Sequence, residues 1–190
     1  MFPATELHDH GCRRLIPLPS DWIVTAEFGG AHSEYRYSLT HIWDAAKPLI
    51  LFGMMNPSGA DIHYGDTTVL RTAGFAERWG YGGQIIVNAC AYRARNPAEL
   101  LRVIDPIGPD NRAAIEAAAC RAKVLVVAHG QLPKLLKHTG QMMFSALART
   151  GKPLLAFGFG ADGRTPLHPL ARGKNAITRD SKPIMMPYHG

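Results

Sequence analysis

Four uninterrupted apolar stretches, each the length of one β-strand, constrain this chain more than any other feature: LILFGM at 49–54, QIIVNAC at 84–90, VLVVAHG at 124–130 and PLLAFGF at 153–159. A strand with one wet face alternates apolar and polar residues, so a continuous run predicts a strand covered on both faces. Helical patterns separate the four runs. The first spans 67–79, with Asp66 as N-cap, Val69, Ala73 and Ala76 in phase and Gly80 as the stop. The second spans 110–122, with Ile115, Ala118, Ala119 and Ala122 on one face. The third spans 133–149, with Leu136, Thr139, Met143 and Ala146 in phase and Gly140 as a possible break. Strands alternating with helices predict βαβ units, hence an α/β fold of three layers, α/β/α, around a central four-stranded parallel sheet.

Upstream, two β-like runs at 22–28 and 34–39, separated by Gly29 and Gly30, predict an N-terminal β-hairpin. Residues 1–20 mix Pro, His and charge without periodicity and read as an arm, and 171–190 as a tail. The whole of 1–190 is expected to form a single α/β domain, since 190 residues is ordinary for one core.

Composition narrows the setting. Apolar residues make up 46% and charged residues 19%, and no apolar run approaches the roughly 18 residues that a membrane span needs. The first residues lack the basic and apolar regions of a secretory signal, so a cytoplasmic location is expected. Cys12, Cys90 and Cys120 are too few and too scattered for a disulfide framework or a structural zinc ribbon. The formal charge of +6 suits a polyanionic partner such as nucleic acid, but weakly, because Arg172, Lys174, Arg179 and Lys182 in the tail supply part of it.

Open parallel sheets bind ligands beyond the carboxyl ends of their strands. The distinctive residues fall there: Asn56-Pro57-Ser58-Gly59-Ala60-Asp61 after the first run, Asn88 closing the second, His129-Gly130 after the third, and His168-Pro169-Leu170 beyond the fourth. The 56–61 segment is a polar turn whose backbone N–H groups can face an anion, Ser58 among them; ordinary strand-to-helix connection is the competing explanation. It lacks the Lys of a P-loop and the three glycines of a dinucleotide fingerprint, so no nucleotide cofactor is expected. Asn88 after three apolar residues is a costly choice unless hydrogen-bonded, and its amide can pair with a nucleobase edge or tie down a loop. Tyr92 and Arg93 follow, able to stack on a base and contact a phosphate, or to cover the sheet edge.

His168 is a loop imidazole able to donate to an oxygen that gains charge, and Asp61 and Asp66 are carboxylates able to take a proton from water. Asp66 has the competing role of helix cap. Arg71 and Arg78 lie on the first helix, where a phosphate contact competes with simple solvation. Neither the His8, His10, Cys12 cluster nor the Asp61, His63, Asp66 cluster has a known ligand spacing, so no metal is expected. The absence of a Gly-x-Ser-x-Gly elbow argues against a serine hydrolase.

Ordered blocks from Tyr35 to Leu170, namely RYSLTHIWD, GMMNPSGAD, DTTVLRTAGFAERWGYGG, VNACAYRARNPAEL, DPIGPDNRAAI and GRTPLHPL, resemble a bacterial and phage family known only as a domain of unknown function. The order of motifs is also remotely similar to that of the uracil-DNA glycosylase superfamily. That resemblance implies a four-stranded parallel sheet between helices, DNA as partner, and cleavage of the N-glycosidic bond of a flipped uracil-like or modified base. In its terms Asn56 matches a residue that positions water, Asn88 the reader of the pyrimidine, His168 the donor to the departing base, and Leu170 a wedge filling the vacated stack. Tyr64 would serve as a stacking residue. The chain departs from the best-known branch at Asn56, which stands where that branch has a water-activating Asp, and an amide is no general base. Two other classes remain open: a hydrolase or transferase acting on free nucleotides or nucleosides, and a non-catalytic nucleic-acid-binding module.

Overall fold

The computed structural model describes residues 15–57, 59–94 and 96–186. In chain order the elements are β1 (Ile16–Pro17), β2 (Ile23–Gly29), β3 (Tyr35–Ile42), β4 (Leu49–Met54), β5 (Tyr64–Gly65), α1 (Thr67–Arg78), β6 (Gly83–Asn88), α2 (Asn111–Arg121), β7 (Val124–Val127), α3 (Lys137–Ala148), β8 (Leu154–Ala156) and β9 (Ile184–Met185). Single 3₁₀ turns occupy Glu99–Leu101, Lys134–Leu136 and Gly173–Asn175.

The four apolar runs become β4, β6, β7 and β8, which lie side by side, mutually parallel, in the order β6-β4-β7-β8. The sheet does not stop there, and this corrects the expected four-stranded count. It has seven strands, in the order β2-β3-β6-β4-β7-β8-β9, and is mixed: β3 runs antiparallel to β6, and β9 antiparallel to β8. The physical reason is the edge of the parallel core. Every residue of β6 is buried, so its outer backbone groups need partners, which β3 supplies from Leu39↔Ile86 to Ile42↔Gly83. The expected hairpin is therefore an extension of the main sheet. The tail likewise contributes a strand, with Leu155↔Met185 and Ala156↔Ile184 in register. Part of the expected arm also pairs, Ile16–Pro17 with Tyr64–Gly65, in a separate two-stranded sheet.

Alternate residues of the parallel strands feed two apolar clusters, as strand geometry requires. Leu51, Ile85, Val87, Leu125 and Val127 pack with Ile115, Ala118 and Ala119 of α2 and Met143, Ala146 and Leu147 of α3. Ile50, Phe52, Ile86 and Val126 pack with Val69, Phe75 and Ala76 of α1 and with Phe157. α1 starts where its sequence signals said it should: Asp66 caps it, its Oδ1 accepting from the N–H of Val69 at 2.9 Å, and Gly80 follows its end at φ +85°. Gly140 does not break α3. A Cβ there would meet Leu132 Cδ1 at 2.6 Å, so the glycine provides a close approach between the helix and the segment after β7. The expected start of this helix at 133 is later in the structure, because 134–136 form a tighter 3₁₀ turn first.

Candidate functional site

β6 lies on one side of β4 and β7 on the other, so the chain reverses its direction of winding at β4. Loops leaving the carboxyl ends of neighbouring strands diverge at such a point and leave a crevice. The loops after β4 and β6 are first zipped together beyond the sheet. Ala89 N–H donates to Met54 O, Cys90 N–H to Met55 O, both at 2.9 Å, and Ala94 N–H to Pro57 O at 3.1 Å. Beside this zipper opens a cavity of ≈ 120 Å³, reached by residues of the β4, β6 and β7 ends, the start of α1 and the 168 loop. Its volume is below the several hundred Å³ of sites for drug-sized ligands, a size that suits one small heterocycle or a compact charged group.

Asn56, Asn88, Asp66 and His168 all line this cavity. Asn88 is only 1% exposed, and its Oδ1 is buried without a hydrogen-bond partner among the described residues. An acceptor left in that state costs about 1–3 kcal/mol. Asn88 is held at the backbone instead, where its carbonyl accepts from Asn111 Nδ2 at 2.9 Å. Asn56 spends both amide hydrogens on the zipped loops, donating to Pro57 O of its own loop at 2.9 Å and to Ala94 O of the loop after β6 at 2.7 Å. Only its Oδ1 remains to meet a ligand or water, and that atom can accept but not abstract.

The two histidines of the cavity are set in opposite tautomers by their backbone neighbours. His168 Nδ1 accepts from the N–H of Leu170 at 3.1 Å, which places the proton of the neutral ring on Nε2 as a donor. His129 Nδ1 faces the carbonyl of Gly130 at 2.7 Å and must donate to it, leaving Nε2 as an acceptor. Burial lowers the pKa of His129, keeping the ring neutral. Gly130, at φ +67°, turns the chain here, and a Cβ on it would stand 3.0 Å from that of His168. Side chains are thus excluded from this point so that His168 can close over the β7 end.

Other expected site residues sit elsewhere, each with a structural role. Asp61 Oδ1 accepts from His63 and Tyr64 N–H, both at 2.8 Å, and closes the turn before β5. Tyr64 itself lies in β5 opposite Pro17. Tyr92 bridges to Tyr35 and meets its ring edge-on, with centroids 5.8 Å apart. Arg71 Nε donates to Pro169 O at 2.9 Å and its Nη2 to Ile177 O, tying α1 to the tail. Arg93 Nη1 donates to Ser33 O at 3.3 Å, with the guanidinium over Phe28. Leu170 is half-buried and acts here through its N–H on His168. Ser58 and the His8, His10, Cys12 cluster lie outside the described residues. Among the described residues no group of three or more His, Cys, Asp or Glu is placed to hold a metal ion, and no helix is long and apolar enough to cross a membrane.

Sequence reasoning missed Arg36. It projects from β3 into the same cavity and is 2% exposed. Nη1 donates to Ala60 O, while the buried Nε has no partner among the described residues. Burial pulls its pKa down to about 10, opposed by the charges of Asp66 and Asp61, so it stays cationic at neutral pH. Thr68, in the first turn of α1, also lines the cavity.

The fold and site define a mixed α/β protein with a small, partly open cavity, lined by polar and apolar groups, at the switch point of its sheet. Residues 36–170, more than half of the 190, match the family described as protein of unknown function (DUF1643), and the chain belongs to that family. No curated protein and no solved structure matches it.

Proposed function

We propose that this protein is a nucleobase-recognising enzyme that hydrolyses an N-glycosidic bond. The observation that carries the reading is the buried, unpartnered Oδ1 of Asn88 in the same cavity as His168 and Asn56. A buried amide offers adjacent donor and acceptor atoms, the complement of a base's hydrogen-bonding edge. In the reaction the C1′–N bond breaks and its electron pair goes to the base, whose oxygen gains negative charge. The Nε2–H of His168 is the donor suited to that oxygen. A water oxygen bonds to C1′, held by Asn56 Oδ1, and its proton passes to Asp66, the carboxylate lining the cavity. Four parallel strands with helices on both faces also suit the resemblance to the uracil-DNA glycosylase superfamily, with a flipped DNA base as substrate.

The test is incubation with oligonucleotides carrying uracil, hypoxanthine, mismatched thymine or hypermodified bases, read as abasic product. Product from at least one is expected; none from any of them defeats the DNA version. Arg36 specifically favours a second reading, a hydrolase or transferase acting on a free nucleotide, because its guanidinium is internal. A non-catalytic nucleic-acid-binding module has less support, since such a module relies on a basic surface rather than a cavity lined by buried polar groups.

A further inference from the structure

A guanidinium carries five N–H donors in a planar fork. In Arg36 the Nη1 edge is used, donating to Ala60 O and fastening the loop after β4 onto β3. The other edge, Nε with Nη2, is the side that meets two oxygens at once in a bidentate pair. Among the described residues Nε, buried on that edge, has no partner and Nη2 makes no hydrogen bond. Arg36 also forms no ion pair among them. Leaving a cation this far from water without a bidentate partner is costly, and such a group is retained where something else supplies the oxygens.

The surroundings favour the same kind of visitor. α1 begins at the cavity with Thr68 in its lining, and a helix start presents unpaired N–H groups and the positive end of the macrodipole. One of those N–H groups, that of Val69, is satisfied by the Asp66 carboxylate, and the N–H of Leu70 makes the first bond of the helix to the Asp66 carbonyl. Those of Thr67 and Thr68 make no hydrogen bond among the described residues. Asp66 is the opposing charge among the described lining residues, and its Oδ1 is turned to the cap.

We propose that the Nε–Nη2 edge of Arg36 receives a compact anionic group of the ligand, a carboxylate or phosphate monoester presenting two oxygens, as a small anionic substrate would supply. The proposal rests on the cavity being a ligand site and deepens the free-nucleotide reading.

Matched pairs decide it on the full-length protein: uracil against orotate, which adds a carboxylate, and uridine or deoxyuridine against its 5′-monophosphate, with inorganic phosphate as competitor. Calorimetric titration is expected to show one anionic member binding at least ten-fold more tightly than its neutral partner. Which pair shows the preference separates the carboxylate from the phosphate source. R36K, which keeps the charge but loses the fork, is expected to remove the preference; if that variant does not fold, the wild-type preference decides alone. Equal affinity within both pairs overturns the anion site while leaving base recognition standing. Binding of phosphate and anions without regard to the base upholds the anion site and overturns base recognition. No binding of any anion at millimolar concentration overturns the proposal.

Discussion

Replacing Asn88 with Leu separates a residue kept for the fold from one kept for a ligand. Its side-chain Oδ1 is buried and unpartnered, while its structural bond, the backbone carbonyl to Asn111, is untouched by the change. Removing an unsatisfied buried acceptor returns about 1–3 kcal/mol of desolvation cost. Leu matches Asn in heavy-atom count and branching, and the adjoining cavity of ≈ 120 Å³ can absorb its bulkier methyl groups without overpacking. For a chain of this length each kcal/mol moves the midpoint by about 3 °C, so N88L should melt roughly 3–9 °C above wild type. Its urea m-value should be unchanged, and base binding should be lost. Thermal and urea unfolding followed by circular dichroism measure this. A variant destabilised by more than about 1 kcal/mol would show that the amide serves the fold, and the ligand argument built on it would fail.

Three further outcomes follow from particular contacts. Asp66→Asn keeps an N-cap acceptor and should hold stability within about 0.5 kcal/mol while abolishing glycosidic cleavage, whereas Asp66→Ala should lose about 1 kcal/mol as well; equal activity of wild type and D66N removes Asp66 as proton acceptor. His41 is completely buried, with its pKa held down from 6.5 to about 4 chiefly by desolvation and also by Arg36. The unfolded chain therefore takes up the proton first, so stability falls as pH drops from 6.5 towards 4, by roughly 3 kcal/mol. Urea midpoints measured across that range should slope for wild type and flatten for H41N. Gly82→Ala would set its Cβ 1.9 Å from the carbonyl oxygen of Asp44, backbone that cannot swing aside, and should cost about 3 kcal/mol in urea unfolding.

What could be read from the residues alone was whatever a local pattern encodes. The four parallel strands announced themselves because burial on both faces leaves no alternation, and α1 because Asp66 and Gly80 punctuate it. β3 was only partly visible. Its buried residues include Arg36, Ser38, Thr40 and His41, so it resembles half of a wet hairpin until its pairing with β6 is known. β9 is two exposed residues, Ile184–Met185, and exists only because β8 offers an unpaired edge. Asn56, Asn88 and His168 could be brought together from strand ends and loop positions. Arg36 could not, since an arginine in a strand ordinarily snorkels to solvent, and only its neighbours in space reveal that it points into the cavity. The same holds for Asp61 and Tyr64, whose nearness in sequence to Asn56 suggested a shared cleft that the turn before β5 carries away from the cavity.

The central claim, that this cavity recognises a nucleobase through Asn88 and His168, is tested most directly by nuclear magnetic resonance of the full chain titrated with free bases and nucleosides. The side-chain amide of Asn88 and the ring Nε2–H of His168 should shift together and saturate at one ligand per chain for at least one base. If millimolar bases and nucleosides leave both signals unmoved, or move only residues outside the cavity, base recognition at this site is contradicted.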